Sequence, residues 1–476
     1  MAILSTPTYA LQPAAERVAL STNYITNFDF LNQYLPDTYE KEFERYGNRT
    51  IASFLRMVGA EMPSNSDMIK WAEQGRLHIK YTNVTSAAAA ASDTATLTIN
   101  DTGVTSTAIR VGQTVFVQQN ATGLSNKGIV TAVSTPSGGP YTFTVAYYEG
   151  GGQTFGSAVA CSVFIYGSEF AKGTNGMVGS LESESSIFSN SPIIIKDKYA
   201  VNGSDMTQIG WVEVTTENGA SGYLWYLKSE HETRLRFEDY LETAMIEAVP
   251  AETASGALAA GFKGSEGVFY VVSNRGNIWG GGTPTTLADF DSIVARLDRQ
   301  GAIEENVLFV NRDMSFDIDD MLATLNGYNG GTAANGASFG LFDNDVEMAL
   351  NLGFSGFRRG YDFYKSDWKY LNDPTMRGAL ATNTTAGLTG TIAGLLVPAG
   401  STSVYDQVMG KNAKRPFLHV RYRATEAENR RYKTWITGSA GGAATSDLDA
   451  MEVNFLSERC VCTLGANNFV LFRYGA

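Results

Sequence analysis

Histidine and cysteine are nearly missing from this chain. Its 476 residues include three of each: His78, His231 and His419, and Cys161, Cys460 and Cys462. An odd, sparse cysteine count excludes a disulfide framework. Cys460 and Cys462 stand two apart in a stretch that reads as a strand, so both face one side. They are expected as small buried apolar residues. Long apolar runs are also absent. The Ala87–Ala91 run is too short to span a bilayer, so no membrane partner is expected. The first basic residue is Arg17 and no apolar segment follows it, so no secretory signal is expected. Basic charge is the minority: Lys and Arg number 36 against 49 Asp and Glu, a net −13. Nucleic-acid affinity comes mainly from cations on phosphates, so a protein built to grip DNA or RNA is excluded.

The remaining composition is that of a folded chain, 43% hydrophobic and long enough for several domains. Residues 1–35 show no period and read as a flexible or partner-bound arm. "TYEKEFERYG", "TIASFLRMVGA" and "SDMIKWAEQG" carry helical spacing, the last with Ser66 at the N-cap. From 79 to 167 the texture changes to short β-rich runs between Gly, Pro, Ser and Asn turns: "TATLTIN", "VGQTVFV", "GIVTAV" and "YTFTVAYY". This predicts a compact, barrel-like inserted β-module. "IFSNSPIIIKDKYAVNGSD" reads as two extended segments around Asp197-Lys198. Beyond Pro250, "GVFYVVSN" reads as a strand and "TLADFDSIVARLDRQ" as a helix presenting Leu287, Phe290, Ile293, Val294 and Leu297. "NVLFVN" follows as a strand, then "SFDIDDMLATLNGY" as a helix capped by Ser315. The close is strand-like: "FLHVRYRAT", "RRYKTWITG", "MEVNFLSERCVCTLG" and "NFVLFRYGA". That order suggests an α+β or α/β chain with helices covering a sheet.

The longest helix is predicted in "YLKSEHETRLRFEDYLETAMIEA", and it contains His231-Glu232. A helical zinc protease needs a second histidine four residues after the first; Leu235 stands there. The structural account is stronger. Glu230 with Arg234 and Glu232 with Arg236 are i,i+4 pairs in the favourable order. Phe237, Tyr240, Leu241, Ala244, Met245 and Ala248 form an apolar stripe, which leaves His231 on an exposed stretch. Asp313, Ser315, Asp317 and Asp319 imitate the start of a calcium loop, but Ile318 and Thr324 fill the positions that need glycine and a carboxylate. "GFKGSEG" and "GYNGGTAANG" do not match a phosphate loop, and no GxSxG is present. Asn83, Asn100, Asn120 and Asn383 begin glycosylation-like triplets, which carry no weight without a secretory signal. No catalytic, cofactor-binding or metal residues are therefore expected, and a structural or binding role leads over an enzyme.

The order of parts carries a resemblance. An irregular arm, extended paired segments, one long helix, an α/β region and returning strands resemble the major capsid protein of tailed bacteriophages, the Hong Kong 97-type fold. "YLKSEHETRLRFEDYLETAMIEA" looks like that family's spine helix, and "SPIIIKDKYAVNGSD" like part of its extended loop. "NFLSERCVCTLGANNFVLFRYG" resembles its usual close, with Glu458-Arg459, an alternating strand, a turn at Gly465–Asn467 and a last apolar strand. "FLRMVGA…SDMIKWAEQGRLH" is similar to early capsid sequence in some phage groups, including crAss-like phages.

The resemblance implies an α+β Hong Kong 97-type capsid fold. It divides into an N-terminal arm and helices (1–78), an inserted β-module (79–167) and an extended loop (168–221). The spine helix of a peripheral domain (222–250), an axial domain (251–395) and returning strands of both domains (396–476) follow. It implies a subunit that self-assembles into hexamers and pentamers of an icosahedral head around double-stranded DNA, held without sequence-specific contacts. Portal, vertex or auxiliary head proteins would be further partners. The place would be the virion capsid, assembled in the bacterial host cytoplasm. The β-module lies outside the minimal fold, and no residue trio for covalent cross-linking is found. The alternatives are another phage component, such as a tail, portal or fibre protein, or a glycan-binding surface protein.

Overall fold

A computed structural model describes residues 60–101, 107–134, 141–179, 183, 185–207, 214–215, 221–222, 225–300, 303–325, 356–379, 391–406, 411–442 and 444–474. The predicted arm at 1–35 and the helices at 38–47 and 50–59 lie outside them. The described residues fall into two compact units. One holds residues up to Asn65, Pro192–Val461 and those from Asn468; the other holds Ser66–Ser191 and Cys462–Asn467.

The described residues of the second unit are mainly β-strands. After β1 (Ala60–Ser64), which belongs to the first unit, come β2 (Ile69–Gln74), β3 (Lys80–Ser86), β4 (Thr94–Ile99), β5 (Gln113–Gln119), β6 (Ser125–Ser134), β7 (Tyr141–Tyr147), β8 (Val159–Ser168) and β9 (Ser185–Asn190). Strands β3 to β8 close into a barrel in the order β3-β4-β7-β6-β5-β8. Alternation builds it: Leu97, Ile99, Val115, Val117, Phe143, Val145 and Val163 fill the interior while their neighbours face out. Closure leaves no strand edge unpaired.

Strand β2 corrects the sequence reading. Residues 66–75 were expected to be helical, but Ile69–Gln74 pairs antiparallel with β9. Trp71 packs against Phe188 at 6.3 Å between ring centroids, and pairing with a distant segment overrides a local helical pattern. Ser66 is not an N-cap; its hydroxyl donates to the Met68 carbonyl at 2.8 Å in a local turn.

In the first unit the chain runs through β10 (Ile193–Asn202), α1 (Trp225–Glu247), α2 (Val268–Arg275), β11 (Asn277–Trp279), α3 (Leu287–Gln300), β12 (Glu305–Val310), α4 (Arg312–Leu325), β13 (Gly356–Arg359), β14 (Tyr361–Asp367), β15 (Ile392–Pro398), β16 (Leu418–Arg423), β17 (Lys433–Gly438), β18 (Ala450–Thr463) and β19 (Val470–Arg473). They form two sheets. A five-stranded sheet runs β1-β16-β18-β10, with β17 also on β18; a six-stranded mixed sheet runs β11-β19-β15-β12-β14-β13. The architecture is mixed α+β.

Several expectations change here. Residues 267–274 were read as a strand from their β-branched and aromatic content, but Val268–Arg275 is helix α2. Val268, Phe269, Val271 and Val272 are buried, a spacing that suits one helical face. Gly267 precedes it, where a Cβ would lie 2.7 Å from the Ala248 backbone nitrogen. Helix α4 begins at Arg312, and Asn311 rather than Ser315 caps it: Asn311 Oδ1 accepts from the Met314 amide at 2.8 Å. The expected break at Asp197-Lys198 is absent. Strand β10 runs through it, paired with β18 from Ile193↔Arg459 to Asn202↔Ala450, and the chain leaves regular structure at Ser191-Pro192 instead. Ile193 and Ile195 pack against the core and only Ile194 is exposed. This segment is one continuous sheet strand.

Helix α1 lies along β10 and α2. Phe237, Leu241, Met245 and Ile246 are buried, and Phe237 stacks obliquely on Phe455 of β18, 5.7 Å between centroids. Tyr240, expected in the stripe, is 43% exposed; at 100° per residue it falls outside the arc of Phe237, Leu241 and Met245. His231 is half-buried rather than exposed, because the helix beds more of its length than its charges suggest. Lys228 pairs with Glu232 along this helix, 3.8 Å apart. Truncating Phe237 to alanine would cost roughly 3–5 kcal/mol.

Candidate functional site

The site best built from the sequence upward is the closing strand β18. Between Phe455 and Thr463 every residue is buried, as befits a strand covered on both faces. Two charges interrupt that run, Glu458 and Arg459, and buried charges must be paired. Neighbours in a strand point to opposite faces, so each finds its own partners. Glu458 accepts from Arg423 Nη1 at 3.2 Å and from Arg430 Nη1. Arg459 donates from Nη1 to Glu61 Oε1 at 3.2 Å, from Nε to Ser457 Oγ at 2.8 Å and from Nη2 to the Arg431 carbonyl at 2.8 Å. Arg431 in turn donates to Glu61. Burial pulls the Arg459 guanidinium below its usual range, and the Glu61 carboxylate works against that shift. The result is two ion clusters, one on each face of one strand, tying β1, β16 and the 428–431 turn to β18.

A third cluster fixes the end of α1. Glu247 accepts from Arg377 through both oxygens, with Nη2 to Oε2 at 2.7 Å, and from the Tyr370 hydroxyl at 2.5 Å. Arg377 also lies over the Phe269 ring, 5.1 Å from its centroid. Burial, then the Glu247 hydrogen bond, push the Tyr370 phenol above its ordinary value. In the six-stranded sheet, Lys365 donates to Asp319 at 2.5 Å, with both side chains at or below 10% exposure.

The described residues contain no group of His, Cys, Asp and Glu fit to hold a metal ion. His419 is buried, with Nδ1 3.2 Å from the Pro416 carbonyl. Of the calcium-like acids, Asp319 is committed to Lys365. All three cysteines are buried, and burial lifts the Cys161 thiol to about 11, far from a reactive thiolate. Asn100 donates to Thr85 at 2.7 Å and Asn120 accepts from Ser162 at 2.7 Å, both on the barrel; Asn383 lies outside the described residues. The partners Glu61, Arg377, Arg423, Arg430 and Arg431 were not found from sequence. The available signal was the charge pair inside an otherwise buried strand, which demands partners without naming them.

No known protein family matches the sequence, and no curated protein does either. Solved structures with a similar chain path exist. One is from Microbacterium phage Oxtober96, 10% identical over 94% of this chain and 99% of that one, with a TM-score of 0.37. Another is the capsid of a native GTA particle, 9% identical over 93% and 97%, TM-score 0.36. A third is the holo-SrpI encapsulin complex from Synechococcus elongatus PCC 7942, 11% identical over 61% and 77%, TM-score 0.32.

Proposed function

We propose that this chain is a shell-forming structural subunit, the major capsid protein of a tailed phage, rather than an enzyme. The carrying observation is the path of the last strands. Strand β18 is central to the helix-backed five-stranded sheet, and the chain then re-enters as β19, between β11 and β15 in the six-stranded sheet. Met245 of α1, Phe309 of β12, Val420 of β16, Val461 of β18 and Leu471 of β19 share one core. Two differently built layers locked by a returning C-terminus match the peripheral and axial parts that the sequence resemblance implies. The charge clusters reinforce the lock.

On this reading α1 is the spine, residues 251–395 form most of the axial part, and the barrel is an insertion carried by the shell. Copies assemble as hexamers and pentamers in the bacterial host cytoplasm and enclose double-stranded DNA. The acidic balance suits a container wall that does not hold its contents tightly. Portal, vertex and auxiliary head proteins would complete the particle. The test is expression of the full chain, followed by sedimentation velocity and negative-stain microscopy. Closed shells or capsomer rings are expected. A protein that stays monomeric at every concentration and ionic strength tried would overturn the reading.

A further inference from the structure

The barrel carries a side-chain row that neither its fold nor a shell role requires. Four adjacent strands place Lys80, Phe164, Phe116 and Lys127 directly opposite one another: Lys80↔Phe164, Phe116↔Phe164 and Phe116↔Lys127. All four face outward, because their strand neighbours Val115, Val117 and Val163 are wholly buried inside. The two rings stack at 5.1 Å between centroids and 29° between planes. Phe164 is 40% exposed and Tyr148 and Tyr166 beside the row are each 49% exposed. Both lysines are exposed. Among the described residues neither ammonium is in an ion pair, and the Lys127 backbone amide donates to Glu149 Oε1 at 2.9 Å. Lys80 on β3 and Lys127 on β6 stand three strands apart in the ring of six, so the row follows the curve of the barrel wall.

One step along the strands the surface turns polar and uncharged. Gln118 lies opposite Ser162. Asn120 follows, with Oδ1 accepting from Ser162 at 2.7 Å. The stacked phenyls steady the β5–β8 pairing as a cross-strand aromatic pair, but Phe164 and the two tyrosines keep much of their apolar surface in water, a cost that a bound apolar face would remove.

We propose that this row is a binding site for an anionic polysaccharide. Phe116, Phe164 and the two tyrosines meet the apolar faces of sugar rings, the amides and hydroxyls meet their hydroxyl groups, and Lys80 and Lys127 meet acidic substituents. A single-stranded nucleic acid is the other polymer that stacks on aromatic faces. It needs cations along its whole track, whereas here two lysines share the surface with Glu149 and Glu169, the latter accepting from Tyr148 at 2.6 Å. The site stands on the barrel alone and is independent of the shell reading.

The test is native affinity electrophoresis of the full chain in gels cast with alginate, pectate, chondroitin sulfate, dextran or no polymer, beside a thymidine oligonucleotide shift. Retardation is expected in at least one anionic gel and not in dextran. Phe116→Ala with Phe164→Ala should abolish it. Lys80→Gln with Lys127→Gln should weaken it by roughly tenfold or more, since a factor of ten needs only ~1.4 kcal/mol. Circular dichroism checks that the variants keep the barrel, as outward residues should allow. Unretarded migration in all three anionic gels, retardation that survives the aromatic double variant, or a stronger shift with the oligonucleotide would each overturn the assignment.

Discussion

Glu61 and Arg459 are 398 residues apart in the chain and their side chains meet at 3.2 Å. The pair reaches from edge strand β1 to central strand β18, across β16. It therefore adds a side-chain tie to the parallel backbone pairing of β1 with β16, Glu61↔Val420 among others. Arg459 is 7% exposed and Glu61 27%. Breaking a buried pair by removing one member costs roughly 3–5 kcal/mol, so Arg459→Ala should lose about that much stability. Glu61→Ala should lose less, since Arg459 keeps Ser457 and the Arg431 carbonyl. Urea denaturation measures both. Equal losses would mean that Glu61 contributes more than its exposure suggests.

The Asp319–Lys365 pair gives a second stability test and settles the calcium-like pattern. Each single truncation, Asp319→Ala or Lys365→Ala, leaves a buried charge without its counter-ion. The double replacement Asp319→Leu with Lys365→Met should cost less than either. Millimolar calcium should leave the melting temperature unchanged, because Asp319 is taken and Thr324 stands where a carboxylate is needed. A calcium-dependent rise in melting temperature would show that the acids at 313–319 bind the ion after all.

Alkaline stability isolates one tyrosine. The hydrogen bond from Tyr361 to Asp298, then burial, hold its phenol up to about 12, against ~10 in an unfolded chain. A folded value above the unfolded one means stability that is complete below pH ~10 and lost as the pH rises toward ~12. Tyr361→Phe should thus cost ~1 kcal/mol at pH 8, and the gap from the parent should narrow between those two pH values. Paired denaturation curves at pH 8 and pH 11 decide it. A gap that stays constant would separate the phenol's shift from folding.

Local chemistry made part of this molecule legible. The strict alternation in "TATLTIN" and "YTFTVAYY" is a property of a barrel wall that can be read residue by residue, and those runs form β4 and β7. The amphipathic face of Phe290, Ile293 and Leu297 likewise belongs to α3 alone. Failures came where a partner decides. Met68-Ile69-Lys70-Trp71 has helical spacing, and only β9 makes it a strand. Val268–Val272 has strand composition, and only a core on one side makes it a helix. The site followed the same rule. Glu458-Arg459 was visible as a motif, while Glu61 and Arg377 became meaningful only through contacts 398 and 130 residues away.

The arm is the last place where assembly and folding can be separated. Residues 1–35 have no period that would bury them in their own core. The described helices and sheets share cores with one another, and β1 is fastened by the β16 ladder and the Glu61 cluster. Removing residues 2–35 should therefore leave a folded subunit that cannot close shells, because obligate interfaces are large, ~2,000 Å² or more, and an extended arm is an economical source of that area. Circular dichroism and sedimentation velocity, run on the same preparation, distinguish the cases. Native-like spectra with only small oligomers are expected. Normal shells from the truncated chain would remove the arm from assembly, and an unfolded product would place it in the core.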